Sequence, residues 1–150
     1  LNSGAIGNLS LYSKIINKHS GIVDKFVGDQ VIGIFGITNK VNRTENALKS
    51  ALELRKRFDK EFRKYRIGVK TGIVKGQMFY GTLGGKENAS LTVIGKDVNL
   101  ASRMCDYAKK GEILLNEEAY IQLNAKYKFK PRRFKKFKGF KELFTVYSIV

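Results

Sequence analysis

A chain of 150 residues, 43% hydrophobic and 28% charged, is long enough to bury a core of its own and has the composition of a globular domain. Its 29 Lys and Arg against 13 Asp and Glu leave a net charge of +16, which favours a polyanionic partner such as nucleic acid, an anionic membrane surface or a nucleotide polyphosphate. One cysteine (Cys105) excludes an internal disulfide, one histidine (His19) argues against a His/Cys zinc site, and no apolar run reaches the ~18 residues of a membrane span. Any metal would therefore be held by carboxylates.

In chain order, residues 9–19, LSLYSKIINKH, place Leu9, Tyr12, Ile15, Ile16 and His19 at helical spacing, with Gly21 as a stop. His19 is expected to cover the end of that helix. In GIVDKFVGDQVIGIFG, residues 21–36, two apolar runs flank Gly28-Asp29 and predict a β-hairpin. Its second run, residues 31–35, is apolar almost throughout, which suits a strand buried on both faces. Lys25 and Asp29 put opposite charges on and beside the turn. They either form an ordinary surface pair or, so close to a core, engage a metal or a ligand.

Thr44 can cap a helix reaching about Tyr65, whose buried stripe would be Ala47, Leu48, Ala51, Leu54, Phe58 and Phe62. A strand is expected over residues 66–71. The glycines at 68, 72, 76, 81, 84 and 85 are spaced too irregularly for a phosphate loop and read as turns and close backbone contacts. A short strand over residues 91–94 precedes a helix opened by Asp97, with Val98, Ala101, Cys105 and Ala108 as its inner face and Gly111 as its stop. A strand at Ile113–Leu115, a short helix at Glu117–Leu123 and a closing strand over residues 144–150 complete the chain. Strands and helices alternate around one mixed sheet, an α/β or α+β sandwich.

Two features bear on function. Asn99 and Arg103, four apart near a helix N-terminus, project from one face and could hold a sugar and a phosphate, with Thr92 on the preceding strand near the same mouth. An Asn-Arg pair on a solvated helix is the plain alternative. Nine cations lie within residues 126–141, KYKFKPRRFKKFKGFK, interleaved with Tyr127, Phe129, Phe134, Phe137 and Phe140. That pattern fits either single-stranded nucleic acid stacking or an edge strand guarded by solvated lysines.

Taken together, KFVGDQVIGIFG, IGVKTG, LTVIGKDVNLASRM, GEILLNEEAY and KFKGFKELFTVYSI resemble, in that order, the class III nucleotidyl cyclases. The resemblance implies a ferredoxin-like α+β domain, a mixed sheet with helices packed on it, that makes cyclic AMP or cyclic GMP from the nucleoside triphosphate. It places Asp29 at the second of two aspartates that bind a pair of divalent metals, Mg2+ or Mn2+. Lys25, within the Lys25–Phe26–Gly28 segment of the substrate site, falls at the adenine-reading lysine, and Thr92 at its partner, as in the subgroup that includes soluble adenylyl cyclase. Asn99 matches the ribose-orienting asparagine, Arg103 the arginine that stabilises charge on the α-phosphate, and Lys138 the lysine on the triphosphate tail.

The implied activity is an adenylyl cyclase acting on ATP at a site shared across a head-to-tail homodimer. The alternatives are a catalytically inactive cyclase-like domain and, with less support, a basic nucleic-acid-binding module. The family's first metal aspartate lies on a strand before the first helix, and residues 1–8 contain no acid. The expectation is thus a single domain over residues 1–150, truncated before its first strand and drawn from a longer, cytoplasmic protein with other fused or regulatory domains.

Overall fold

The computed structural model describes residues 3–84, 90–132 and 135–150, so Gly85 of the glycine series and Arg133 and Phe134 of the basic segment lie outside the described residues. The Cα packing divides the chain into two compact units, residues 1–54 with 79–94, and residues 55–78 with 95–150. Among the described residues no helix is long and apolar enough to cross a membrane.

In the first unit, helix α1 (Ser3–Lys18) packs on the hairpin of β1 (Gly21–Val27) and β2 (Gln30–Phe35). Among its described side chains Ile15 and Ile16 are buried, and glycines make room for them. A Cβ on Gly33 would stand 3.1 Å from the Ile16 side chain, and one on Gly21 2.9 Å from it. Val27 pairs with Gln30, so Gly28-Asp29 is the two-residue turn read from the sequence, and Gly28 takes the positive φ of 61° such a turn needs.

The ladder is not regular. Val23 faces Gly33 and Lys25 faces Ile32, which leaves Asp24 as the extra residue of a β-bulge. The expectation that β2 is buried on both faces is corrected. Among the described residues it pairs with β1 alone, and only Ile34 is fully buried. A second antiparallel ribbon, β4 (Phe79–Leu83) with β5 (Ser90–Ile94), completes this unit and includes the strand expected near 91–94. Strand β4 falls inside the glycine-rich stretch, where turns were expected.

Helix α2 (Arg43–Phe62) begins one residue before Thr44, which therefore sits inside its first turn rather than at the cap. Leu48, Ala51, Leu54 and Phe58 are buried as the apolar stripe predicts. His19 does cover the end of α1: its Nε2 lies 2.6 Å from a Glu53 oxygen, and Lys18 reaches the other at 2.8 Å.

The second unit is built on a four-stranded mixed sheet in the order β3 (Thr71–Ile73), β6 (Ile113–Leu115), β10 (Tyr147–Ile149), β7 (Phe129–Pro131). β3 and β6 run parallel and the other neighbours antiparallel. The strand expected over residues 66–71 is displaced to β3. A 3-10 turn at Arg63–Tyr65 ends on Arg66 at a φ of 56°, so the backbone enters the sheet only at Thr71. The closing strand is likewise broken into β9 (Leu143–Phe144), which pairs with β8 (Lys135–Lys136), and β10.

Helix α3 (Lys96–Tyr107) crosses β3 and buries Leu100 and Met104, not the predicted face of Val98, Ala101 and Cys105; of that set Ala108, just past its end, is buried. The reason is backbone contact: a Cβ on Gly72 would lie 2.5 Å from the Ala101 carbonyl and 2.8 Å from the Cys105 nitrogen. Close approach at Gly72 turns the 100/104 edge into the core with Leu114, Phe137 and Val146. Helix α4 (Glu117–Leu123) matches its predicted bounds and is capped by Asn116, whose side chain accepts from the Ala119 N–H at 3.2 Å.

Of the two readings of the basic segment, the edge strand with solvated lysines is the one the packing favours. Phe137 is buried against Tyr107 and Phe144, Phe140 meets Phe144 edge-on, and Phe129 packs on Tyr120. Phe137 is therefore a core residue, and Phe129 and Phe140 spend part of their ring surface on packing, with the neighbouring lysines exposed.

Candidate active site

The hairpin bulge creates the most constrained polar cluster of the first unit. Asp24 has a side chain only 1% exposed, in a strand whose neighbours are Ile22 and Val23. A carboxylate so placed needs every available donor. It has three. The Val93 N–H of β5 donates to Oδ1 at 3.2 Å, the Thr92 hydroxyl to Oδ2 at 3.3 Å, and the Lys25 ammonium stands 3.4 Å from Oδ2. Thr92 is itself buried, whereas Lys25 keeps much of its length in solvent. The structure thus brings Lys25 and Thr92 together, and the group that joins them is Asp24.

Sequence reasoning missed that residue. One of its two readings paired Lys25 with Asp29 across the turn, whereas the ion pair recorded for Lys25 is with its neighbour. An acid in the middle of the apolar run GIVDKFV was the available signal. The bulge hid its direction, because one inserted residue changes which side chains share a face. Asp29 lies exposed in the turn beside Gly28, and Phe26 stands 43% exposed on the strand before it.

Asp29 is the carboxylate here that could contribute to a metal. Asp24 cannot, since its oxygens are buried and already accept hydrogen bonds. A divalent cation takes several oxygen ligands, and among the described residues no group of three His, Cys, Asp or Glu side chains converges.

The other predicted residues belong to the second unit. Asn99 and Arg103 are exposed, one turn apart on α3, beside the buried Leu100 and Met104. The helix starts from Gly95 at a φ of 152°, a conformation side chains rarely adopt, and Asp97 complements the positive end of its first turn. Lys138 is exposed in a turn closed by the Phe140 N–H on the Phe137 carbonyl at 3.1 Å, with Gly139 at a φ of 89°. Buried Phe137 anchors that turn, so Lys138 has a fixed base and a free end.

Elsewhere in this unit, Glu112 and Arg132 form a mostly buried ion pair, with the guanidinium 5.0 Å from the Tyr107 ring. Burial pushes the Glu112 carboxyl up. The Lys109 N–H, the Arg132 guanidinium and the Ser148 hydroxyl outweigh that and hold it below the usual carboxylate range. The pair ties the start of β6 to the end of β7.

Comparison with known proteins places the chain in a family. The family described as adenylate and guanylate cyclase catalytic domain matches residues 9–150. An uncharacterized protein of Mycobacterium tuberculosis is 37% identical over 95 residues, covering 63% of this chain and 17% of its own length. The chain thus spans about one sixth of the curated relatives of this group. Among solved structures, the adenylyl cyclase CyaB from P. aeruginosa superposes with a TM-score of 0.90 at 29% identity, over 97% of this chain and 80% of that one. The guanylate cyclase domain of RhGC from Catenaria anguillulae, in complex with GTP, gives 0.85 at 21% identity, over 100% of this chain and 86% of that one. Adenylyl and guanylyl enzymes share the fold, so the fold does not choose the base.

Proposed function

The chain belongs to the adenylate and guanylate cyclase catalytic domain family, and on that premise we propose that it converts ATP to 3′,5′-cyclic AMP and pyrophosphate. The observation that carries the choice of ATP is the pairing of Lys25 and Thr92 at one buried carboxylate. Adenine offers an acceptor at N1 and an amine at C6, whereas guanine offers an N–H at N1 and a carbonyl at C6. A lysine ammonium can only donate, and a threonine oxygen can accept. Set with Lys25 against N1 and Thr92 against the C6 substituent, the pair matches adenine and leaves unpaired groups against guanine, a mismatch of about 1–3 kcal/mol per group.

The remaining steps fall to exposed side chains. Asn99 orients the ribose so that its 3′-hydroxyl faces the α-phosphorus. Arg103 places positive charge where it develops on the α-phosphate as the new P–O bond forms and pyrophosphate leaves. Lys138 holds the triphosphate tail. Divalent metal ions, when bound, neutralise phosphate charge and activate the hydroxyl, and Asp29 is the residue of this chain that would help hold them.

The assembly is a head-to-tail homodimer. Lys25 and Asp29 are four residues apart across a tight turn, yet they serve opposite ends of the nucleotide, the base and the metal-bound phosphates. One ATP reaches both readily only if they come from different copies. A two-fold dimer then contains two equivalent composite sites.

The test is direct. The protein in its natural full length, given ATP and Mg2+ or Mn2+, forms cyclic AMP and pyrophosphate, and Arg103→Ala removes that product without unfolding the chain. Nucleotide binding with no cyclic product from the unaltered protein would replace the enzyme by an inactive cyclase-like domain.

A further inference from the structure

Resting on the adenylyl reading above, the role of Asp24 can be taken one step further. Its carboxylate is almost sealed from water and, when ionised, accepts hydrogen bonds without donating any. The Val93 N–H fixes Oδ1, so Oδ2 is the atom that faces Thr92 and Lys25. The Thr92 hydroxyl proton is thereby committed to Asp24. What remains of that hydroxyl for a ligand is its oxygen lone pairs, and the same carboxylate holds the Lys25 ammonium beside it. The bulge at Asp24 is the backbone device that turns this side chain onto β5.

We propose that Asp24 is a positioning residue that sets the hydrogen-bond polarity of base recognition. By pinning the Thr92 proton it makes Thr92 an acceptor only, so a base carrying an amine at C6 is taken and one carrying a carbonyl is refused. Asp24 does not touch the nucleotide. It acts through Thr92 and Lys25.

The decisive variant is Asp24→Asn. The Val93 N–H still requires an oxygen, so the amide nitrogen is left facing Thr92 and donates to it. The Thr92 proton then turns outward, toward the ligand, and Lys25 loses its counter-charge. The expected result is a fall of about tenfold or more in the ratio of kcat/KM for ATP to that for GTP, carried mainly by KM. Adding Asp24→Asn to Thr92→Val should move the ratio by clearly less than Asp24→Asn does alone, since the hydroxyl is gone and only the Lys25 contact remains. Both nucleotides are assayed in one preparation, so a partly folded sample leaves the ratio unchanged.

A second measurement needs no variant. Inosine triphosphate, with a carbonyl where ATP has an amine, should be refused by the unaltered protein about as strongly as GTP. Activity lost equally on ATP and GTP in Asp24→Asn, an undiminished ratio effect in the Thr92→Val background, or inosine triphosphate used as well as ATP would each overturn the proposal. Absence of cyclic AMP from the unaltered protein is a separate result, a failure of the adenylyl reading. In that event the ATP-to-GTP ratio is read from displacement of a fluorescent ATP analogue. An Asp24→Asn ratio equal to that of the unaltered protein, or no displacement by either nucleotide, then overturns the proposal.

Discussion

Replacing Gly72 by alanine tests how the helix carrying Asn99 and Arg103 is seated. The added Cβ would stand 2.5 Å from the Ala101 carbonyl oxygen, 2.8 Å from the Cys105 nitrogen and 3.0 Å from the Met104 Cβ, against 3.4 Å for the start of ordinary contact. The first two neighbours are helix backbone, so neither can rotate aside, and α3 must retreat from β3. Overpacking of this kind costs about 1–3 kcal/mol. The lower chain entropy of alanine in the unfolded state returns about 0.4–1 kcal/mol. The net loss of roughly 1–2 kcal/mol corresponds to a Tm lower by about 2–8 °C for a chain of this size. Urea and thermal unfolding followed by circular dichroism measure it. Gly68→Ala is the matched control: the atom nearest its Cβ, at 2.6 Å, belongs to the flexible Lys110 side chain, so its effect should be smaller. A Gly72→Ala protein as stable as its parent would refute the seating of α3 on β3 described here.

Two further outcomes follow from the ion pair and the proposed dimer. The Glu112 carboxyl titrates below its unfolded value, so its contribution to stability is present above the unfolded carboxylate pKa and is lost as pH falls through the folded one. Glu112→Gln should therefore cost about 1–3 kcal/mol near pH 7, with the gap to the parent closing in acid; urea unfolding at several pH values checks this, and a pH-independent gap would contradict it. Asp29→Ala and Arg103→Ala should each be inactive alone, yet after verified subunit exchange their mixture should recover roughly a quarter of parental activity, because half the dimers then hold one intact site. A mixture that stays inactive removes the shared site.

Elements whose signals are local were legible in the sequence. The Gly28-Asp29 turn, the Glu117–Leu123 helix and the strand before Gly95 follow from turn chemistry and apolar spacing, and the structure has all three. What escaped depends on partners far along the chain. Asp24 looks like any acid until β5 brings the Thr92 hydroxyl and Val93 N–H to it, 68 and 69 residues away. The buried edge of α3 was misread because apolar residues surround that helix, and contact with Gly72 decides which of them turn inward. In the segment rich in Lys and Arg, the cations dominate composition, whereas Phe137 and Phe140 earn their positions by packing on Phe144.

One measurement bears most directly on the central claim. The natural full-length protein is given equimolar ATP and GTP in one vessel with a divalent metal, and both cyclic products are quantified. Lys25 donating and Thr92 accepting predict cyclic AMP in clear excess over cyclic GMP, by about tenfold or more. Equal yields, or an excess of cyclic GMP, would contradict the account.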